Sequence, residues 1–259
     1  MKNIIAIGLL IFFTGLVAAA AAGYVLRLRV AEQCPPQGAF ISVEQSKIHY
    51  LERQGGEVPV VFLHGASSNS RDWQYSLYEH LPESYHLVAI DRPGLGHSER
   101  NFGHAFPKQV ESIHKTVGAL QLARPILVVH SLSGVIGARL LADYPNEYRG
   151  LVIVAGATYP IGHGSSWYTR LATLSVAGHL FRYTVVPALA PLISSGFVQK
   201  SFHPDPVPSN YKRQACLDLL FSPDRFLANA HDLNQIRAYL DESYPLYEKI
   251  TAPVSLVYG

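Results

Sequence analysis

Four short runs of the chain are apolar throughout: Val58–Leu63, Leu87–Ile90, Ile126–Val129 and Leu151–Ala155. Each is too short for a stable helix and lacks the polar alternation of a half-exposed strand. Runs rich in valine, isoleucine and leucine are what a parallel sheet covered on both faces requires. Helical patterns separate them. Arg71–Leu81 is one, and Pro107–Leu122, with proline in its first turn, is another. The third, Leu132–Tyr144, carries Ile136, Leu140, Leu141 and Tyr144 on one face and is stopped by Pro145. Alternating strand and helix demand crossover connections, so the expected fold class is α/β, a mainly parallel doubly wound sheet. Phe40–Val43 and Lys47–Leu51 read as an antiparallel hairpin at its edge.

The rhythm stops after residue 155. Residues 156–253 separate the fourth run from a last strand at Val254–Tyr258, far more than the dozen or so that a crossover needs. This gap holds helical patterns at Ser166–Leu180, Tyr183–Gly196, Tyr211–Leu220, Pro223–Tyr239 and Glu242–Ile250, with a proline-rich break at 203–208. An inserted helical cap is the economical reading, lying over the carboxyl edge of the sheet, where open α/β sheets bind ligands.

Upstream, Asn3 to Leu26 is 24 residues without a charge, bounded by Lys2 and Arg27. As a helix it would reach roughly 36 Å, enough to cross a hydrocarbon core of about 30 Å. A cleaved signal peptide with its exit at Ala18–Ala22 is the alternative, but its apolar stretch is usually only about 7–15 residues. An uncleaved transmembrane anchor contacting membrane lipid is therefore expected. Its orientation stays open, because Lys2 flanks one end and Arg27 and Arg29 the other. The expected organisation is an anchor or signal over 3–26, a polar linker over 27–38, a core over 39–155, a cap over 156–250 and a last core strand over 251–259. With 48% hydrophobic and 15% charged residues, a net charge of +2 and no basic run, the composition excludes a disordered chain and gives no footprint for nucleic acid. Two cysteines, Cys34 and Cys216, fit one bridge or two free thiols equally well and cannot build a zinc site.

Chemistry in such folds sits where strands end. The third run ends in Val129-His130-Ser131-Leu132-Ser133-Gly134 and a helix begins at once. A serine on so sharp a strand-to-helix turn has an exposed hydroxyl, and the N–H of the next residue, Leu132, points toward an oxyanion. The first run ends in His64-Gly65-Ala66-Ser67-Ser68, where the Ala66 N–H is the natural second donor. The second ends in Asp91-Arg92-Pro93-Gly94-Leu95-Gly96-His97-Ser98, a tight turn with two glycines.

With HGASS, DRPGLGHS and VVHSLSG in that order, each at the end of an expected strand, the sequence resembles the α/β-hydrolase superfamily in its capped, serine-nucleophile branch. The resemblance covers about residues 39–259. It implies Ser131 as nucleophile, Ala66 and Leu132 as backbone oxyanion donors, and no cofactor or metal. A serine at 131, where dehalogenases and epoxide hydrolases of the branch carry aspartate, points to ester, lipid or C–C bond hydrolysis. Two departures stand out. Val129 and Ser133 replace the glycines of the Gly-x-Ser-x-Gly elbow, and Val129 puts a branched side chain beside the turn. The family's acid and histidine follow the strand matching Val254–Tyr258, so neither is assigned to a residue here.

Other residues are weaker candidates for those roles. His64 and His97 lie in turns, His130 points to the opposite face of its strand from Ser131, and Asp91 orders its own turn in the family. His163, His179, His203 and His231 sit in the cap without metal-ligand spacing. Two functions from different classes follow: a membrane-anchored serine hydrolase acting on an apolar or acyl substrate, or a non-catalytic binding protein on the same fold. Another chemistry on the same serine-dependent site, such as a cofactor-free oxidation, differs only in cap and pocket. The cap aromatics Tyr159, Trp167, Tyr168, Phe181 and Tyr183 suggest an apolar pocket.

Overall fold

The computed structural model describes residues 2–160 and 165–258. Seven strands form one sheet: β1 (Ala39–Val43), β2 (Ser46–Arg53), β3 (Val58–Leu63), β4 (Tyr85–Ile90), β5 (Ile126–His130), β6 (Gly150–Val154) and β7 (Val254–Val257). Their order is β1-β2-β4-β3-β5-β6-β7. The β1–β2 and β2–β4 pairs are antiparallel and the remaining pairs parallel, so the expected hairpin edge and parallel centre are both present.

Side chains alternate across this sheet with period two. Val61, Leu63, Leu127 and Val129 face one core, together with Ile113 of α3 (Phe106–Ala119) and Ile136 and Leu140 of α4 (Ser133–Asp143). Val60, Phe62, Leu87 and Val128 face the other, under Trp73 of α2 (Arg71–Ser76) and Tyr78. Burial on both faces is why these strands read as continuous apolar runs. β7 is the exception, with Val254, Leu256 and Val257 each more than 40% exposed. An apolar groove of about 410 Å³ beside it is lined by Ala138, Leu151, Ile153, Ile250, Val254 and Leu256.

Element boundaries differ from expectation most at the N-terminus and in the cap; α2 also ends at Ser76, short of the expected Leu81, and a 3-10 turn at Tyr78–His80 follows it. The first helix, α1 (Lys2–Gln33), runs through residues 27–33, which the sequence suggested as linker; only Cys34 to Gly38 connects it to β1. The reason is tertiary. Gly23, Val30 and Cys34 are buried and Leu26 half-buried, a helical stripe packed on the cap, whereas nearly all of residues 3–22 are exposed. In the cap, α5 is short (Trp167–Ala172), and Tyr183–Gly196 is part of one longer helix, α6 (Val176–Phe202), bent by 65° between its two limbs. Prolines 187 and 191 lie within it, and a proline removes a helix hydrogen bond without always ending the helix. The remaining cap helices are α7 (Tyr211–Gln214) and α8 (Pro223–Ser243), each followed by a 3-10 turn.

Three devices fasten α1, cap and core. Cys34 and Cys216 form a disulfide that spans 182 positions of sequence. Arg71 donates to the Cys216 sulfur at 2.9 Å and to the Pro35 carbonyl, so α2 holds both sides of the bridge. On α8, fully buried Asp232 pairs with Arg92 and, at 2.9 Å, with Arg100, and also accepts from Gln109. Removing one member of a buried ion pair leaves the other charge uncompensated and costs about 3–5 kcal/mol. Asp232→Ala should therefore lower stability by that order in urea unfolding, and Arg92→Leu added to it should recover a large part. A change no larger than that of an exposed pair would contradict the assignment.

Candidate active site

Ser131 occupies the junction of β5 and α4 with φ 51°, a left-handed backbone that non-glycine residues adopt at a cost of roughly 1–3 kcal/mol. Surrounding hydrogen bonds hold it there. Its N–H donates to the Val154 carbonyl at 3.1 Å, and its carbonyl accepts from the Gly134 N–H at 2.9 Å and the Ala157 N–H at 2.8 Å. Gly134 must be small, because a Cβ there would stand 3.0 Å from the Ala157 backbone. Ser133 is small enough to be buried, and its hydroxyl donates to the His64 carbonyl, tying elbow to HGASS turn at 2.5 Å.

Val129, the branched residue where the elbow pattern has glycine, finds its space on the neighbouring helix. A Cβ on Gly137 would come within 2.9 Å of Val129 Cγ1, so the bulk missing at 137 is the bulk present at 129. The crowding expected at the turn is relieved one helical turn away.

The HGASS turn closes on the serine. A Cβ on Gly65 would lie 2.9 Å from Ser131 Cβ and 3.1 Å from His130 Nδ1. Beyond it, the N–H groups of Ala66 and Leu132 have no acceptor among the described residues. Ser67 adopts φ 59° and is gripped from the cap: its N–H donates to Asn229 Oδ1 at 2.8 Å, and Asn229 Nδ2 donates to its hydroxyl at 3.0 Å. Asn69 reaches the cap in return, donating to the Ala215 carbonyl at 2.8 Å. The sequence reading passed over Asn229. Its signal was an amide between Ala228 and Ala230, three residues before Asp232, on the face of α8 that continues into Ile236 and Leu240.

The other candidates are occupied elsewhere. His64 is fully buried, with Nδ1 2.9 Å from the Gly65 carbonyl and Nε2 accepting the Arg92 N–H at 3.0 Å, so both ring nitrogens are used. Asp91 accepts from His49 Nδ1 at 2.7 Å and from the Ser70 and His97 N–H groups at 2.6 and 2.8 Å. Burial alone would raise its pKa, but the hydrogen bonds and charge facing it hold the carboxyl well below the usual range. Gly96 packs so closely on this carboxylate that no side chain fits. Asp91 thus organises its turn. His130 lies edge-on to Trp73, with ring centroids 6.3 Å apart. His179 stacks on Tyr183 and His231 on His104, while His163 lies outside the described residues. Among the described residues no side chain hydrogen-bonds the Ser131 hydroxyl.

A cavity of about 250 Å³ lies within the cap, walled by Trp167, Tyr168, Phe181, Leu189, Ile193 and Phe197, with Ser67 and Asn229 among its few polar walls. Ser131 is not in its lining; the cavity stops at the HGASS turn. Of the other cap aromatics, Tyr159 packs edge-on against Tyr244, and Tyr183 lies beside α1 beneath Arg27.

Burial, reinforced by the Arg92 charge, pushes the His64 imidazole down to about 4 from its ordinary 6.5. Between those values the unfolded chain binds a proton that the folded chain refuses, so stability falls as pH drops through that window. The full loss from this one group is on the order of 3 kcal/mol. The urea midpoint should fall as pH drops from 6.5 toward 4 and fall less steeply in His64→Asn. Parallel profiles for the two proteins would contradict a buried neutral imidazole.

Residues 60–258 match the model of the Alpha/beta hydrolase family. The chain is 27% identical over 234 residues to Monoacylglycerol lipase abhd6-A of Xenopus laevis, covering 86% of this chain and 67% of that protein. It is 27% identical over 135 residues to the dihydrolipoyllysine-residue acetyltransferase component of an acetoin cleaving system in Cupriavidus necator, covering 51% of this chain and 35% of that protein. Among solved structures, a bacterial membrane phospholipase A superposes with a TM-score of 0.59 at 22% identity, over 100% of this chain and 82% of that one. The chain therefore spans between a third and two thirds of these two curated relatives.

Proposed function

Because the chain belongs to the Alpha/beta hydrolase family, we propose that it is a membrane-anchored serine hydrolase that cleaves an ester or related acyl bond through a covalent intermediate on Ser131. The observation that carries this reading is the left-handed Ser131, set beside two backbone N–H groups without acceptors, Ala66 and Leu132. A carbonyl carbon placed over Ser131 Oγ would turn its oxygen toward those two donors, which favour the charge that develops there. Oγ attacks the carbonyl carbon, the alcohol leaves with a proton, and water releases the acid from the acyl-enzyme. A serine hydroxyl needs a base to accept its proton, itself oriented by an acid. Among the described residues no histidine hydrogen-bonds the Ser131 hydroxyl, and the family resemblance puts both groups after the strand that matches β7. The apolar cavity and the lipase name of the frog relative favour an acyl substrate.

Anchoring is part of the proposal. Asn3–Gln33 is the one continuous helix among the described residues long and apolar enough to cross a membrane, although a signal sequence meets the same test. Its last three turns pack on the cap, and this favours retention. Disulfides persist in oxidising compartments. The Cys34–Cys216 bridge therefore favours a topology with the cap and core on the oxidising face and the amino terminus on the other. In the natural protein, both thiols should resist a membrane-permeant alkylating agent until a reductant is added. Immediate labelling of both would contradict this orientation.

The full natural protein should take up one serine-directed phosphonate, on Ser131. Ser131→Ala should abolish the label and lower acyl-ester turnover by about a thousand-fold or more. Turnover that survives the substitution would overturn the nucleophile. A protein that neither labels nor turns over esters would instead be a non-catalytic binder on this fold.

A further inference from the structure

The outer face of the cap is apolar where a water-facing surface should not be. Leu174, Val176, Leu180, Leu189, Ile193 and Phe197 are each 43–73% exposed, and Trp167 is 72% exposed. On α6, Val176 and Leu180 share one helical spacing of four and Leu189, Ile193 and Phe197 another, so each set shares a face, and exposed apolar surface of this kind marks an interaction site. The path of α1 identifies what it meets. Residues 3–22 are 20 residues of uncharged helix, about 30 Å at 1.5 Å per residue, and so match a hydrocarbon core; most of the described ones are exposed, with Leu16, Ala19 and Ala20 half-buried. Gly23, the first fully buried residue of α1, lies close against α6; a Cβ there would stand 2.9 Å from Pro187 Cγ. The middle of α6 therefore sits at the level where α1 leaves the hydrocarbon. Arg27 marks the same level, its guanidinium 5.6 Å from the Tyr24 ring and 5.3 Å from the Tyr183 ring. Tyrosine and arginine together are the residues of a membrane–water interface.

The cavity opens on this face. Trp167, Leu189, Ile193 and Phe197 both line it and are exposed, so its wall is continuous with the outer apolar surface. We propose that the cap lies on the bilayer that α1 enters, and that the cavity takes an acyl chain sideways from that bilayer without passing it through water. The substrate part of this inference rests on the hydrolase reading above; the docking surface does not. An acyl chain that moves from lipid into an apolar wall stays out of water throughout, whereas entry from solution requires its full hydration first. The site accordingly favours long-chain lipids already resident in the membrane.

Of the two tryptophans, Trp73 is buried in the core and Trp167 faces outward. The full natural protein is placed in phosphatidylcholine vesicles carrying lipid spin-labelled high on the acyl chain. The label should remove most of the Trp167 emission, aqueous iodide should remove little, and Trp167→Phe should abolish the label-sensitive signal. Leu174 and Leu180 lie on the face but outside the cavity lining, so Leu174→Asp with Leu180→Asp tests docking alone. That pair should restore most of the emission with an unchanged far-ultraviolet circular dichroism spectrum. Hydrolysis of a long-chain monoacylglycerol in the vesicles should fall roughly tenfold, the equivalent of about 1.4 kcal/mol, while hydrolysis of a soluble short-chain ester stays unchanged. Quenching by iodide and not by lipid would overturn the proposal. Protection of Trp167 from both quenchers would also overturn it, by showing the face covered by a second copy. Lipid quenching without turnover of either ester would leave the docking surface standing and refute the hydrolase reading instead.

Discussion

The backbone at Ser131 is held in a conformation that its own side chain disfavours. The Val154 carbonyl and the Gly134 and Ala157 N–H groups satisfy its peptide groups there, and three glycines make room. Gly65 brings the HGASS turn against the serine, Gly134 admits the loop after β6, and Gly137 receives the bulk of Val129. The sheet supplies the rest. β3, β5 and β6 are adjacent, so the loops that follow them converge on one point of its edge. A small backbone strain at one residue is thus supported by packing throughout the core, which is how strained positions persist.

From this point a continuous set of contacts leads to the N-terminal helix α1. Asn229 of α8 grips Ser67, next to one expected donor, and Asn69 in the same loop holds the Ala215 carbonyl. Cys216 follows at once and is bonded to Cys34, the residue after α1, while Arg71 spans both sides of that bridge. Asp232 fixes α8 to the core through two arginines. α1, cap and turn are therefore fastened to one another by a disulfide, apolar packing, ion pairs and hydrogen bonds, whereas Trp167, Val176 and Ile193 of the cap are exposed. A cap built this way is held against the site and leaves its greasy side for something other than water.

Much of this was legible in the sequence because it depends on local pattern. β3 matches its apolar run from Val58 to Leu63, and the parallel strands and edge hairpin stand where periodicity placed them. Patterns decided by distant partners were not legible. Residues 27–33 look polar, yet they stay helical because one stripe packs on a cap that lies more than 150 positions downstream. The cysteines allowed two readings until their separation in space was known. Val129 looked like a defect because the compensating Gly137 lies eight residues on, and Asn229 looked like any polar residue on a helix. Periodicity reports which face is buried; it does not report which buried polar group meets which loop.

The central claim is that Ser131 attacks while the Ala66 and Leu132 N–H groups receive the negative charge. The most direct measurement is a crystal structure of the full natural protein after reaction with a serine-directed phosphonate. The account predicts a covalent bond from phosphorus to Ser131 Oγ, with the phosphoryl oxygen about 2.7–3.1 Å from both backbone nitrogens. An adduct on another residue, or a phosphoryl oxygen directed away from both N–H groups, would contradict it.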